Sequence, residues 1–222
     1  MTPSRVLFLG PPGVGKGTQA QRISERFGLV VVGSGDTIRR EIKDGSEIGR
    51  KAAKYVHFGA LVPDEIITGV MLAGIVKLPA EQGFILDGFP RTVPQAESLD
   101  AGLARVNRSM TAVIHLMADD ARIVARMENR RVCSNCQTTY NVRSSPPRVA
   151  GVCDHCGQAV IQRVDDTESV IRTRLETYRR QTAPLVEFYR RRGLLREVDG
   201  DGPAPQVEAA IVAAMSECSE GA

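Results

Sequence analysis

The plainest chemistry in the chain lies in nine residues, Gly10 to Thr18, which read GPPGVGKGT. Glycines at 10, 13, 15 and 17 let the backbone curl until successive N–H groups point at one centre, the arrangement an oxyanion such as phosphate needs. A short apolar run precedes the glycines and an amphipathic stretch follows them, so the loop also receives the positive end of a helix. Lys16 is placed to reach the terminal phosphates of a polyphosphate chain, and a glycine-rich turn that bound nothing would leave that lysine unexplained. The residues expected to line this cradle are Gly13, Val14, Gly15, Lys16, Gly17 and Thr18. Gly17 departs from the usual pattern, in which Ser or Thr follows the lysine. The hydroxyl on the magnesium side therefore has to come from Thr18 or be replaced by water.

A second constellation is Cys133, Cys136, Cys153 and Cys156, spaced C-x2-C-x16-C-x2-C. Two such knuckles can close a tetrahedron of thiolates around zinc. The surrounding segment has too little apolar content to hold itself together, which makes the metal structural. Free buried thiols, or His155 in place of Cys156 as the fourth ligand, are the competing readings. The fifth cysteine, Cys218, lies in a polar tail (SECSEGA) and reads as an incidental thiol. His57 and His115 have no partner pattern and read as structural.

Asp87 ends the apolar run FILD, and a carboxylate at the carboxyl edge of a parallel sheet can order magnesium-bound water beside a phosphate loop. Its alternative role is to cap the turn at Gly88.

The elements that must hold these groups alternate short buried runs with longer amphipathic ones, the signature of an α/β fold with a parallel sheet wrapped by helices. Strands are expected over Arg5 to Leu9, Leu29 to Val32, Phe84 to Leu86, Ala112 to Leu116 and Leu195 to Val198. Helices are expected over Lys16 to Phe27, Pro63 to Lys77, Val93 to Val106, Asp119 to Glu128 and Thr167 to Arg192. Thr92 and Asp119 can cap two of them, and Pro63 followed by two acids suits a helix start. Residues 34–61, polar and helical, and residues 131–166, turn-rich, break the rhythm and look like insertions on one core.

Composition narrows the function classes. A chain of 222 residues with 42% hydrophobic residues can bury one substantial core, and a net charge of +3 suits an anionic ligand. It falls short of the dense basic stripe of a nucleic-acid binder, and with 5% aromatic residues and no Trp there are few stacking platforms. No apolar stretch approaches the length of a membrane span, and the short run before Gly10 is no export signal, so a soluble cytoplasmic protein with reduced thiols is expected.

In order and spacing, GPPGVGKGTQ, SGDTIRR (34–40), LVPDE (61–65) and LDGFPRTVPQA (86–96) resemble the successive motifs of the adenylate kinases. The resemblance runs from about Val6 to about Val198. It implies a P-loop core of residues 1–32, 63–128 and 167–222, an AMP-binding segment at 33–62 and a lid at 129–166. It implies transfer of the terminal phosphoryl group of ATP to AMP, giving two ADP, with magnesium and a monomeric enzyme. By resemblance Arg39 and Arg91 bind the AMP phosphate, Arg126 and Arg130 meet ATP, and Arg163 and Arg174 sit where the transferring phosphates converge. Arg126 and Arg130 are also read as stacked four apart on one helix face, where mutual repulsion calls for an anion. Gln95 is implied against the adenine edge, with Ser34, Ala60, Leu61, Val62, Gly88, Phe89 and Pro90 completing the AMP pocket. Thr139, Tyr140 and Gly202 are implied at ATP. Ser34 stands where the family commonly has Thr, so this pocket is expected to be looser by one methyl. The zinc-type lid is one of two lid types in the family. Rival readings are a kinase using another nucleoside monophosphate or GTP, and a zinc-knuckle nucleic-acid binder switched by ATP.

Overall fold

The structure, a computed structural model, describes residues 4–163 and 165–216; Cys218 lies outside them. In chain order the strands are β1 (Arg5–Leu9), β2 (Val30–Gly33), β3 (Phe84–Asp87), β4 (Ala112–Met117), β5 (Arg130–Cys133), β6 (Thr139–Asn141), β7 (Val160–Ile161) and β8 (Leu195–Asp199). The α-helices are α1 (Lys16–Phe27), α2 (Ser34–Lys43), α3 (Glu47–His57), α4 (Asp64–Val76), α5 (Val93–Ala104), α6 (Asp120–Glu128), α7 (Glu168–Thr177), α8 (Pro184–Arg190) and α9 (Ala204–Ser216). Five strands form a parallel sheet in the order β2-β3-β1-β4-β8, and β6-β5-β7 make a separate antiparallel sheet.

Every residue of β1 is buried, because helices cover both faces of the sheet. Leu7 and Leu9 pack with Met71 of α4 and Leu99 of α5, while Val6 and Phe8 pack with Ile23 of α1 and Ile211 of α9. The register sets Phe8 of β1 opposite Asp87 of β3, so the loop that leaves β1 emerges beside the Asp87 carboxylate at the carboxyl edge. Thr92 caps α5 by accepting from the Gln95 amide, and Asp119 caps α6 by accepting from Ala121. α1 begins at Gly15 with φ 112° and no side-chain cap, which leaves its first amides open to an anion.

Three sequence readings need correction. The helix expected over 167–192 is broken into α7, a π-turn over Tyr178–Thr182 and α8. Pro184 has no N–H for the Arg180 carbonyl, and the chain compensates with an Ala183 N–H bond to the Tyr178 carbonyl at 2.8 Å. Arg130 does not share a helix face with Arg126: α6 ends at Glu128, and Arg130 is the first residue of β5. The expectations also omitted α9, whose buried Val207, Ile211 and Ala214 follow a helical period and whose Glu208 pairs with Arg22 of α1 at 2.6 Å. Among the described residues no helix is long and apolar enough to cross a membrane.

The segment between β2 and α4 is two helices crossing closely at a glycine. A Cβ on Gly49 of α3 would lie 2.1 Å from the Glu41 carbonyl oxygen of α2. Gly49→Ala should therefore force these helices apart, costing about 1–3 kcal/mol and lowering the melting temperature by several degrees. A variant that melts with the wild type would mean that this crossing yields freely.

Candidate active site

The site lies at the carboxyl edge of the parallel sheet and begins with the phosphate loop. Lys16 Nζ donates to the carbonyls of Gly10 at 2.8 Å and Pro11 at 2.9 Å, folding back over its own loop. Burial draws its pKa down to about 8; Asp87 opposes the shift, and Arg91, Arg174 and Arg130 add to it. Glycine is required at position 10, where φ is 144° and a Cβ would sit 2.4 Å from the Leu116 carbonyl, and at position 13, where φ is 82° and a Cβ would strike Met127. A Cβ on Gly17 would meet only Asp87 Oδ2, at 3.5 Å, so Gly17 leaves room between loop and carboxylate. Thr18 is exposed at the start of α1. Arg126 lies against the loop, donating to Val14 O at 3.2 Å and Gly200 O at 3.0 Å, and so ties the loop to the turn that carries Gly202.

Across from Lys16 the chain gathers its other arginines around two buried carboxylates. Arg130 makes a two-pronged pair with Asp166, Nε to Oδ2 at 2.7 Å. Arg174 of α7 reaches Asp165 Oδ2 at 2.9 Å and Asp166 Oδ1 at 3.4 Å, and Arg163 lies 3.8 Å from Asp165. Burial would raise the Asp165 pKa, but Arg174, Arg163, Arg130 and Arg39 overcome it and hold the carboxyl below its ordinary value. Burial and neighbouring guanidinium groups press Arg163 downward, and burial, opposed first by Asp165, does the same to Arg174. The cluster is thus short of negative charge, and the Arg163 Nε is buried without a hydrogen-bond partner.

Beside this cluster a pocket is lined by Ser34, Arg39, Ala60, Leu61, Val62, Gly88, Arg91, Gln95 and Arg174, with apolar walls from Ile38, Val56 and Ile67. Ser34 Oγ donates to Gly88 O at 2.6 Å, and Arg91 Nε donates to the same carbonyl at 2.7 Å. Gly88 has φ 77°, and a Cβ there would meet both side chains. Arg39 pairs with Asp36, one turn earlier on α2. Gln95 is 2% exposed, and its amide is tied at both ends, to the Arg91 N–H and to Asp64. Phe89 is fully buried in the core. Neither it nor Pro90 is among the pocket-lining residues.

The four cysteines converge, with all sulfur atoms within 4.8 Å of one another. Cys133 and Cys156 lie 3.4 Å apart, and Cys136 lies 3.5 Å from both Cys153 and Cys156. A zinc–thiolate tetrahedron has sulfurs about 3.8 Å apart, so the donor set fits the metal. His155 contributes no atom to this group. Tyr140 is buried with Cys133 and Cys153, its hydroxyl taken up by Cys153 Sγ and the Asp154 amide, whereas Thr139 is exposed. Elsewhere His115 Nε2 lies 3.2 Å from the Tyr178 hydroxyl and its Nδ1 3.6 Å from Glu197, and His57 meets Phe58 edge-on.

Sequence reasoning missed three acids: Asp64, Asp165 and Asp166. The signal for the last two was the adjacent pair just before the α7 cap in RVDDT, a place where acids face buried cations only if the chain turns inward. Nothing local marked Asp64 as anything but an acid in a first helical turn.

The adenylate kinase family model matches residues 8–194. Curated relatives named adenylate kinase include those of Moorella thermoacetica, 47% identical over 95% of this chain and 97% of the relative; Citrifermentans bemidjiense, 45% identical over 95% and 98%; and Archaeoglobus fulgidus, 42% identical over 93% and 97%. The motif order, the phosphate loop beside a cation-rich cleft and these end-to-end matches agree: the chain belongs to the adenylate kinase family of phosphotransferases.

Proposed function

We propose that this chain moves the terminal phosphoryl group of ATP directly onto AMP, reversibly giving two ADP, and so balances the adenine nucleotide pool. The observation that carries this reading is the pairing of an anion cradle with a base-sized pocket across one cluster of buried cations. ATP lies along the phosphate loop, its terminal phosphate beside Lys16. AMP lies in the pocket, its phosphate under Arg39 and Arg91 and its base against Gln95. An oxygen of the AMP phosphate attacks the terminal phosphorus as the bond to the bridging oxygen of the departing ADP breaks. Arg130, Arg163 and Arg174 neutralise the charge that spreads over the transferring group. No side-chain base is needed, because the nucleophile is already an anion.

Magnesium bound with ATP supplies further charge neutralisation, and Asp87 and Thr18 are the residues that would hold its water shell. The space beside Gly17 supports a water in place of a protein hydroxyl. Cys133, Cys136, Cys153 and Cys156 would hold a structural zinc, with Tyr140 packed against the sulfurs. In this reading residues 33–62 and 129–166 are the AMP-binding segment and the lid, Thr139 and Gly202 flank ATP, and closure excludes the water that would otherwise accept the phosphoryl group. The enzyme acts as a cytoplasmic monomer.

A coupled assay across donors and acceptors tests the assignment: ATP with AMP should be strongly preferred, and preference for UMP, CMP or GTP would overturn it. Arg91→Ala should slow transfer by at least about a hundredfold with the fold intact; near-normal turnover removes Arg91 from the mechanism. Lys16, with its pKa near 8 in the free protein, should regain its proton when phosphates arrive. Calorimetry of ATP binding at pH 8 in buffers of different ionisation enthalpy should then reveal uptake of roughly half a proton. Heats independent of the buffer would show that Lys16 is already charged. Purified protein should carry one zinc, and chelation or Cys153→Ser should lower the melting temperature. Unchanged melting after complete metal removal would rule out a structural role.

A further inference from the structure

Under the proposed function Gln95 meets the acceptor's base, and a glutamine amide is by itself a poor discriminator. Turned half a revolution about its last bond it exchanges its oxygen for its NH2 group, and a donor–acceptor order that fits one base becomes the order that fits another. An adenine edge offers an amino donor beside a ring-nitrogen acceptor. A 6-oxopurine offers an acceptor beside an N–H donor. A free glutamine can match either.

In this protein the amide is not free. Its Oε1 accepts from the Arg91 backbone N–H at 2.7 Å, and its Nε2 donates to Asp64 Oδ1 at 2.6 Å. The backbone N–H can only donate and the carboxylate can only accept, so the chemistry of the two partners dictates the orientation. Rotating the amide would set Oε1 against a carboxylate and an NH2 group against an N–H, in a place where Gln95 is 2% exposed and water cannot repair the loss. The carboxylate is itself held, because Asp64 Oδ2 accepts from Thr92 Oγ1 at 2.7 Å, and Thr92 Oγ1 in turn accepts from the Gln95 backbone N–H. The network joins the first turn of α4 to the first turn of α5. Asp64 does not line the base pocket; with Thr92 and Pro184 it lines a neighbouring groove that shares Leu61 and Val62 with the pocket.

We infer that Asp64 is a positioning residue that sets acceptor specificity: by holding the Gln95 amide in one orientation, it makes the pocket select a 6-aminopurine nucleotide against its 6-oxo counterpart. One Nε2 hydrogen and one Oε1 lone pair remain for the base, in a fixed order, and a ligand with the reversed order leaves both unpaired. The inference rests on the reading of this pocket as the AMP site.

The test compares AMP with inosine monophosphate, which differs only at the six-position edge, as acceptors for the wild type and for Asp64→Asn. Asparagine keeps the size of the side chain and its aptness for a helix start, but it can present either oxygen or NH2 to Gln95. The ratio of kcat/KM for AMP over inosine monophosphate should fall about tenfold in the variant, through a higher KM for AMP and better use of the oxo-purine, with KM for ATP and the melting temperature close to wild type. Asp64→Ala, which offers Gln95 no partner, should lower the same ratio. Equal losses with both acceptors, or an unchanged ratio in both variants, would overturn the inference and leave Asp64 as a structural acid. A wild type that leaves AMP untouched would instead bring down the functional reading beneath it.

Discussion

A protein that is to grip two polyanions has to store their countercharge while they are absent. Lys16, Arg39, Arg91, Arg130, Arg163 and Arg174 are brought into one cleft, partly out of water, and burial first, with mutual repulsion adding to it, lowers the pKa of Lys16 and of Arg91, Arg163 and Arg174. The chain holds this charge with Asp165 and Asp166, two buried carboxylates each shared among guanidinium groups. Their number matters. Two carboxylates do not neutralise six cations, and the Arg163 Nε is left without a hydrogen-bond partner, an interaction that an arriving phosphate would complete under the proposed function.

The rest of the architecture serves that cleft. Parallel pairing of β1 with β3 brings the phosphate loop out beside Asp87, and the absence of a side-chain cap at Gly15 leaves the α1 amides free. Arg126 fastens the loop to the turn after β8 through backbone carbonyls. The π-turn and Pro184 join α7, which bears Arg174, to α8, whose Leu185 and Tyr189 are buried in the core.

Much of this was legible in the residues. Four of the five strands of the parallel sheet announced themselves as short apolar runs, the Thr92 and Asp119 caps as polar residues before periodic stretches, and the cysteine cluster by spacing alone, because two-residue gaps within each pair leave a metal-binding chain few other geometries. What stayed hidden depends on contacts between distant segments. Asp64 and Gln95 are 31 positions apart and Arg130 and Asp166 are 36 apart, and no local pattern says which acid will face which base. Helix 167–192 was misread for the opposite reason: its apolar period runs through Pro184 without a break, while the missing donor disrupts only the backbone. The packing of Tyr140 against the sulfurs was hidden in the same way, since nothing in QTTY says which segment its ring will meet.

The joint between Arg130 and Asp166 has an architectural consequence. These two residues are the entrance and exit of one long excursion of the chain, and the bond between them brings both ends to a single point on the core. Inside the excursion, cohesion comes from its own small sheet and its own sulfur cluster. To the core it is a closed loop with a fixed footprint, and the closure entropy of such a loop grows only slowly with its length. The part of it around the sulfur cluster can therefore be lengthened, trimmed or rebuilt around a different kind of nucleus, provided that the two pinned ends, and Arg163 beside Asp165, keep their places.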